Sequence, residues 1–347
     1  MRFSRCALLI ITASMFEHAS AFSSINSSRH NCNHSIRTNV ATPQKSTLSS
    51  SFAVDEEEKQ ATAIVEEDSI PTTAVQRSYL DDGFVFGLEG SGLERPTGKE
   101  ARVVVEGDSL ETQPWQVALV SATMMFHAAF SAYNVHEVIG QTHSTPLGLT
   151  ESAVAIVSSW VMADLGSGIL HWSVDNYGNG STPVMGNIIA AFQGHHSAPW
   201  TITERGFCNN VYKLCTPFGI PTVLALSYLT GFAPLPSLFV AVFCAMEILS
   251  QELHKWSHMT KKEVPGWVNW MQDAGLSIPR TDHANHHKAP YEGNYCIVSG
   301  VCNPALDQSG FFRRLEHLVY NINGVESNSW KLDGALRAKT LNGDYSL

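Results

Sequence analysis

Residues 116–136 form a run of twenty-one without Asp, Glu, Lys or Arg, long enough as a helix to cross a bilayer. Three more apolar runs follow: 147–170, interrupted only by Glu151 and Asp164, then 214–230 and 232–246. Charged residues are 16% of the chain, against about 25% in soluble domains. These blocks predict an all-α membrane protein with about four transmembrane helices. Gly231, Pro234 and Pro236 mark the turn between the last two runs. A full and a re-entrant hairpin both fit their lengths.

The charges give a topology. No Lys or Arg occurs from Val103 to Glu204, and the short connections near 137–146 and 231–236 have none. Basic residues collect after the second and fourth runs, at Arg205, Lys213, Lys255, Lys261, Lys262, Arg280 and Lys288. The positive-inside rule puts those segments on one side, with both termini. The net charge of −10 argues against nucleic acid as a partner.

The first hundred residues read as processing and lead-in segments. Arg2 and Arg5, an apolar run and Ala19-Ser20-Ala21 give residues 1–21 the layout of a signal peptide. Residues 22–54 lack Asp and Glu, are rich in Ser, Thr and Asn, and carry Arg29, Arg37 and Lys45, as transit peptides do. This two-part layout resembles the plastid presequences of diatoms and related algae; an ordinary secreted protein with a linker is the alternative. Residues 55–114 are an acidic, then Gly-rich lead-in. A membrane domain over 115–330 and a tail over 331–347 complete the division. In a plastid the basic side would be the stroma, with the protein multi-pass in the thylakoid or inner envelope membrane.

Fifteen histidines are present, and eight fall in four clusters. In DLGSGILHWSVDNYG, Asp164, Gly168, His171 and Asp175 share one helical face, with Gly168 leaving space on it. In EILSQELHKWSH, Glu247, Gln251, His254 and His258 do the same, and His at i and i+4 points two imidazoles one way. FQGHHSAPWTIT carries His195 and His196. TDHANHHKAP carries His283, His286 and His287 on neighbouring faces, so the triplet can serve two metals. Acids and imidazoles at span ends are costly unless they serve a site. A catalytic zinc takes three protein ligands and a structural one four, so eight imidazoles exceed one zinc. Ligand type alone does not name the metal, but this number at a membrane face suits two non-haem irons that activate dioxygen. Asp164, Asp175 and Glu247 are candidate carboxylate ligands, or partners orienting the imidazoles. His127, His136, His143 and His317 read as structural. The seven cysteines contain no CxxC pair and read as buried thiols.

DLGSGILHWSVDNYG, STPVMGNIIAAFQGHHSAPWTIT, QELHKWSH and DHANHHKAPYEGNYCIVSGVCN together resemble the chloroplast palmitate trans-3 desaturases of phosphatidylglycerol. These lie within the wider family of plasmanylethanolamine desaturases. The similarity runs over roughly 116–330, and QGHH at residues 193–196 sides with the chloroplast branch. HKWSH stands where the plant pattern has HAWAH, and Asn285 where it has Glu. The resemblance implies a lipid desaturase domain over 115–330 that places a trans double bond at the third carbon of palmitate in phosphatidylglycerol. It also implies a di-iron centre held by His171, His195, His196, His254, His258, His283, His286 and His287, with O2 as oxidant and reduced ferredoxin as electron donor. A thioredoxin-like peroxiredoxin is an implied further partner. Lys213, Lys255 and Arg280 are candidates to hold the anionic headgroup.

An ether-lipid (plasmanyl) desaturase or an acyl hydroxylase with the same metal site is the alternative within the class. A non-catalytic metal-binding membrane protein is the alternative outside it. A carrier would place ligands near the midplane and on both sides, whereas these clusters sit at span ends on one face. The presequence reading predicts that a fluorescent fusion of residues 1–54 reaches the plastid; fluorescence confined to the secretory pathway would refute it.

Overall fold

A computed structural model describes residues 108–183 and 185–347. The expected signal (1–21), transit segment (22–54) and nearly all of the lead-in (55–114) lie outside the described residues. The first helix, α1 (Pro114–Thr142), starts where Pro114 can donate no hydrogen bond and needs none. The Gln113 backbone N–H donates to the Gln116 side chain at 2.9 Å, closing a capping box. The helix ends at His143, whose φ of 50° breaks the turn. Two residues later α2 (Thr145–Asn176) begins, again with a proline in its first turn. Gly148 lets the two helices touch, since a Cβ there would sit 2.6 Å from the Ile139 Cα.

A short helix, α3 (Gly186–His195), follows α2, then a 3-10 turn (Pro199–Glu204), α4 (Phe207–Val211) and a second 3-10 turn (Tyr212–Cys215). Next come α5 (Ile220–Leu229) and α6 (Pro234–His258). Then follow α7 (Gly266–Asp273), α8 (Arg280–His286), α9 (Asn303–Gln308), α10 (Phe311–Asn323), α11 (Asn328–Leu332) and α12 (Gly334–Leu341). No strand occurs among the described residues.

The four expected spans are unequal. Two helices, α2 and α6, are long and apolar enough to cross a membrane, and only 28% and 39% of their most apolar stretches are buried. The exposed face of α2 carries Val154, Ile156, Val157 and Met162. At 29 residues α1 has the length, but Gln116, Thr123, His127 and Asn134 line its buried side. The expected third span is broken. Gly219 is extended, and a Cβ on it would fall 2.0 Å from the Cys215 carbonyl oxygen. Pro221 follows, and the helix that results has ten residues, about 15 Å or half the hydrocarbon thickness. The fourth continues past Met246 through the whole EILSQELHKWSH motif.

The ends of these helices are tied on one side. Asp108, just before α1, pairs with Arg205 and Lys213, each at 2.9 Å. Those two basic residues follow α2 in the chain and precede α5. The start of α1 therefore lies beside the segment after α2, and Lys255 near the end of α6 joins them by donating to the Arg205 carbonyl at 2.6 Å. His127, expected to be packed or hydrogen-bonded, is buried, with its ring nitrogens 2.7 and 3.1 Å from the carbonyls of Thr123 and Phe218.

Buried polar side chains on α2 organise an irregular segment, residues 287–302. Asp164 accepts hydrogen bonds from the backbone N–H of Ser299 (2.7 Å), Gly300 (2.8 Å) and Cys302 (2.9 Å). Ser167 accepts from Ile297 N–H at 3.1 Å. Gly168, read from sequence as leaving space, opens onto Cys296: a Cβ there would lie 2.4 Å from its Sγ. The C-terminal helices close over the end of α2. Arg313 and Glu316 form a buried pair at 2.7 Å, and Trp172 Nε1–H donates to the same carboxylate oxygen. Asn328 donates to the Asp175 carbonyl at 2.7 Å.

Asp164→Ala would leave three backbone N–H groups unbonded, those of Ser299 and Gly300 buried and that of Cys302 half-buried, at a cost of about 3 to 5 kcal/mol. Denaturant titration in detergent is expected to show that loss. Asp164→Asn, which keeps one acceptor oxygen, is expected to lose less.

Candidate metal centre

The four histidine clusters converge at the ends of α2, α3 and α6 and along α8. They form two adjoining groups whose ligand atoms lie within 4.8 Å of one another. One holds His195, His254, His258, His283 and His287; the other holds His171, Asp175, His196 and His286. Neighbours in sequence divide between them. His195 and His196 go to different groups, as do His286 and His287, while the i, i+4 pairs 254/258 and 283/287 each stay together. Helical periodicity explains the division: residues four apart point the same way, and adjacent residues do not.

In the second group, backbone carbonyls set the imidazoles. His171 Nδ1–H donates to the Tyr295 carbonyl at 2.9 Å, and His286 Nδ1–H donates to the Gly293 carbonyl at 2.9 Å. A carbonyl can only accept, so the proton is on Nδ1 and the Nε2 of each neutral ring carries a lone pair. Both Nε2 atoms face Asp175 Oδ2, at 3.3 and 3.4 Å, and His196 Nε2 faces it at 3.1 Å. Neither His171 Nε2 nor His286 Nε2 has a hydrogen-bond partner among the described residues, and neither has Asp175 Oδ1. Lone pairs opposed to a carboxylate in a fully buried site repel. A cation between them removes the repulsion.

The first group makes the same case by counting. His258 Nε2 lies 2.9 Å from His195 Nε2, 3.1 Å from His254 Nε2 and 2.8 Å from His283 Nε2. One ring nitrogen carries either one proton or one lone pair, so it cannot bond all three. Two nitrogens held at right angles about 2.1 Å from one ion would be about 3.0 Å apart, which is the spacing found. Burial, reinforced by neighbouring imidazoles, holds His195, His283 and His287 well below the usual histidine value, and burial lowers His196 against the pull of Asp175. The rings stay neutral at pH 7, with lone pairs available to a metal.

The other two acidic candidates lie outside both groups. The Asp164 carboxylate is taken up by the three backbone N–H groups. Glu247 is buried with both oxygens lacking hydrogen-bond partners, and it lies against α2 at Gly166, where a Cβ would come 2.3 Å from its Oε1. His136 pairs loosely with Glu137, and His317 bonds Tyr345; neither belongs to the centre. Reading side chains alone missed the contributions of Gly293 and Tyr295, which act through backbone carbonyls. It also missed Gln193, whose amide donates to the carbonyls of Val174 and Gly178 and pins α3 to the end of α2. The only available signal was that both the YEGNY and FQGHH stretches belong to long specific motifs.

A cleft reaches the centre. His195 and His254 line one part of it, and Phe192, Ile188, Ile202 and Leu214 supply apolar wall.

A lipid desaturase domain model matches residues 160–330, which contain every residue of the two groups. Mouse plasmanylethanolamine desaturase 1 is 31% identical over 210 residues, covering 58% of this chain and 76% of the mouse protein.

The chain belongs to the lipid desaturase family.

Within it, the chain is 48% identical over 180 residues to fatty acid desaturase 4, chloroplastic, of Arabidopsis thaliana, covering 52% of this chain and 55% of that protein. It is 45% identical over 183 residues to the Arabidopsis fatty acid desaturase 4-like 1, chloroplastic, covering 52% and 60%. The chain thus spans between half and two thirds of the length of these plant relatives. No solved structure matches it.

The division into two groups predicts that Asp175→Ala lowers the metal the purified protein can bind by about half. Glu247→Gln is expected to leave it unchanged. Elemental analysis per chain checks both.

Proposed function

We propose that this protein is a plastid membrane desaturase that introduces a trans double bond at the third carbon of palmitate in phosphatidylglycerol. The observation that carries the reading is the pair of adjoining imidazole-rich groups at the ends of two apolar helices, beside an apolar cleft. The chloroplastic plant relatives support the compartment and the lipid branch.

His195, His254, His258, His283 and His287 would hold one iron, and His171, Asp175, His196 and His286 the other. Bound there, the iron pair supplies the O2 activation needed to take hydrogen from an unactivated CH2, which no side chain can do alone. The protein's own tasks are positional. Tyr295 and Gly293 fix the His171 and His286 rings through their carbonyls. The apolar wall of the cleft keeps water from the acyl chain. O2 takes up two electrons from the CH2–CH2 unit and two from an external donor, for which reduced ferredoxin is the proposed source. A thioredoxin-like peroxiredoxin is the proposed accessory partner.

In the membrane, α1 and α2 would cross, α5 and α6 would form a hairpin that enters from and returns to the side of the centre, and the centre would face the stroma. The exposed apolar face of α2 and the length and apolar composition of α2 and α6 support this placement.

Expression in plastids that lack trans-palmitate activity is expected to yield trans-hexadecenoate in phosphatidylglycerol. A vinyl ether or a hydroxy acid instead would move the assignment to the plasmanyl or hydroxylase alternative. His195→Ala and His286→Ala are each expected to abolish the product.

A further inference from the structure

The cleft that reaches His195 and His254 has a second, charged part formed by Arg205, Lys213 and Asp108. Counting its open mouth, the cleft encloses about 870 Å³. We propose that Arg205 and Lys213 bind the phosphodiester of the glycerophospholipid substrate, and that Asp108 holds their place as an internal anion until lipid enters. This rests on the desaturase reading of the metal centre.

The charge count favours an added anion. Both cations converge on one oxygen, Asp108 Oδ2, at 2.9 Å each, so one carboxylate faces two positive charges. Lys255 does not share this excess, because it pairs with Glu252 at 3.5 Å and donates to the Arg205 carbonyl. Arg205 can offer two parallel N–H donors and Lys213 a mobile ammonium, a combination suited to phosphate oxygens. Their side chains are only 15% and 29% exposed, so the interaction is partly shielded from bulk water.

Asp108 belongs to a strap rather than a helix. Residues 108–113 precede α1. Among the described residues, Asn209 holds them by donating to the carbonyls of Ser109 and Glu111, at 2.9 and 3.2 Å, and Arg205 by donating to that of Ser109. A phosphodiester taking the two cations would displace the carboxylate without disturbing the helix core.

The place of the cleft also fits the reaction. The third acyl carbon is only a few bonds from the glycerol ester. An enzyme acting there needs its headgroup anchor and its oxidising centre in one short cleft, and here cations and ligand imidazoles line the same one, joined by Phe192, Ile202 and Leu214. The sequence suggests Lys213, Lys255 and Arg280 for the headgroup. The structure retains Lys213 and adds Arg205. It removes Lys255, which is paired, and Arg280, which donates to the Met259 carbonyl and to Asn269.

The test is saturation binding of tritiated dipalmitoyl-phosphatidylglycerol to the purified full chain in detergent, with bound iron as the check on folding. R205Q/K213Q is expected to weaken binding about tenfold or more with iron content unchanged. D108N is expected to tighten it severalfold, because it removes the competing carboxylate. A purely structural salt bridge would make both variants weaken binding, and that result overturns the proposal. So does wild-type affinity in R205Q/K213Q, or full displacement of the lipid by equimolar inorganic phosphate, which would assign the cations to a free anion. Wild-type protein that shows the expected binding pattern but forms no double bond would refute the desaturase reading and leave the headgroup site standing.

Discussion

Three imidazole nitrogens face one oxygen of Asp175 at 3.1 to 3.4 Å in a fully buried site. Most of the local architecture can be understood as what is needed to hold that arrangement. Two of the rings have their protons committed to carbonyls on the far side, so their lone pairs must point inward. Beside them, five more imidazoles crowd together, each with a ring nitrogen 2.8 to 3.1 Å from that of a neighbour. These groups present more inward lone pairs than the protons between them can bridge, and burying lone pairs against one another is expensive. The arrangement is suited to hold cations.

Holding it requires that irregular chain be tolerated beside apolar helices. Residues 287–302 carry the carbonyls that orient His171 and His286, yet they form no regular ladder. Their backbone groups are satisfied by side chains of α2 and α9: Asp164 takes three N–H groups, Ser167 takes one, and Asn303 bonds both the N–H and the carbonyl of Cys296. This explains why α2 carries buried polar residues so close to the centre. The Arg313–Glu316 pair and Asn328 then cap the end of α2 from outside. The metal groups, the loop and the C-terminal helices are one connected network, so damage to the loop should reach the ligands.

The same end of the molecule offers a route between lipid and centre. The exposed apolar face of α2 suits lipid, while the cleft beside α3 runs from cationic side chains to imidazoles of the centre. A lipid could thus present its headgroup and the first carbons of its chain to fixed positions. Positioning of this kind is what the protein adds to chemistry supplied by a cofactor.

Much of this was legible in the sequence because it is periodic. Apolar runs marked α1, α2 and α6, a shared helical face marked His171 with Asp175, i, i+4 spacing marked 254/258 as a pair, and the 283/286/287 triplet was read as able to serve two metals. Helix geometry is local, so local pattern suffices to read it. Three things were decided only by the tertiary structure. Asp164, Asp175 and Glu247 are equivalent as sequence, all acids on the inner faces of apolar helices. Only packing gives Asp164 to the backbone of 299–302, Glu247 to the surface of α2, and Asp175 to the histidines. The division of His195 from His196 and of His286 from His287 depends on which element lies opposite each ring. The break at Gly219 depends on the Cys215 carbonyl that fills the space a side chain would need. Each is a contact between residues distant in the chain or a close approach of backbone, and such contacts leave no periodic trace in the sequence.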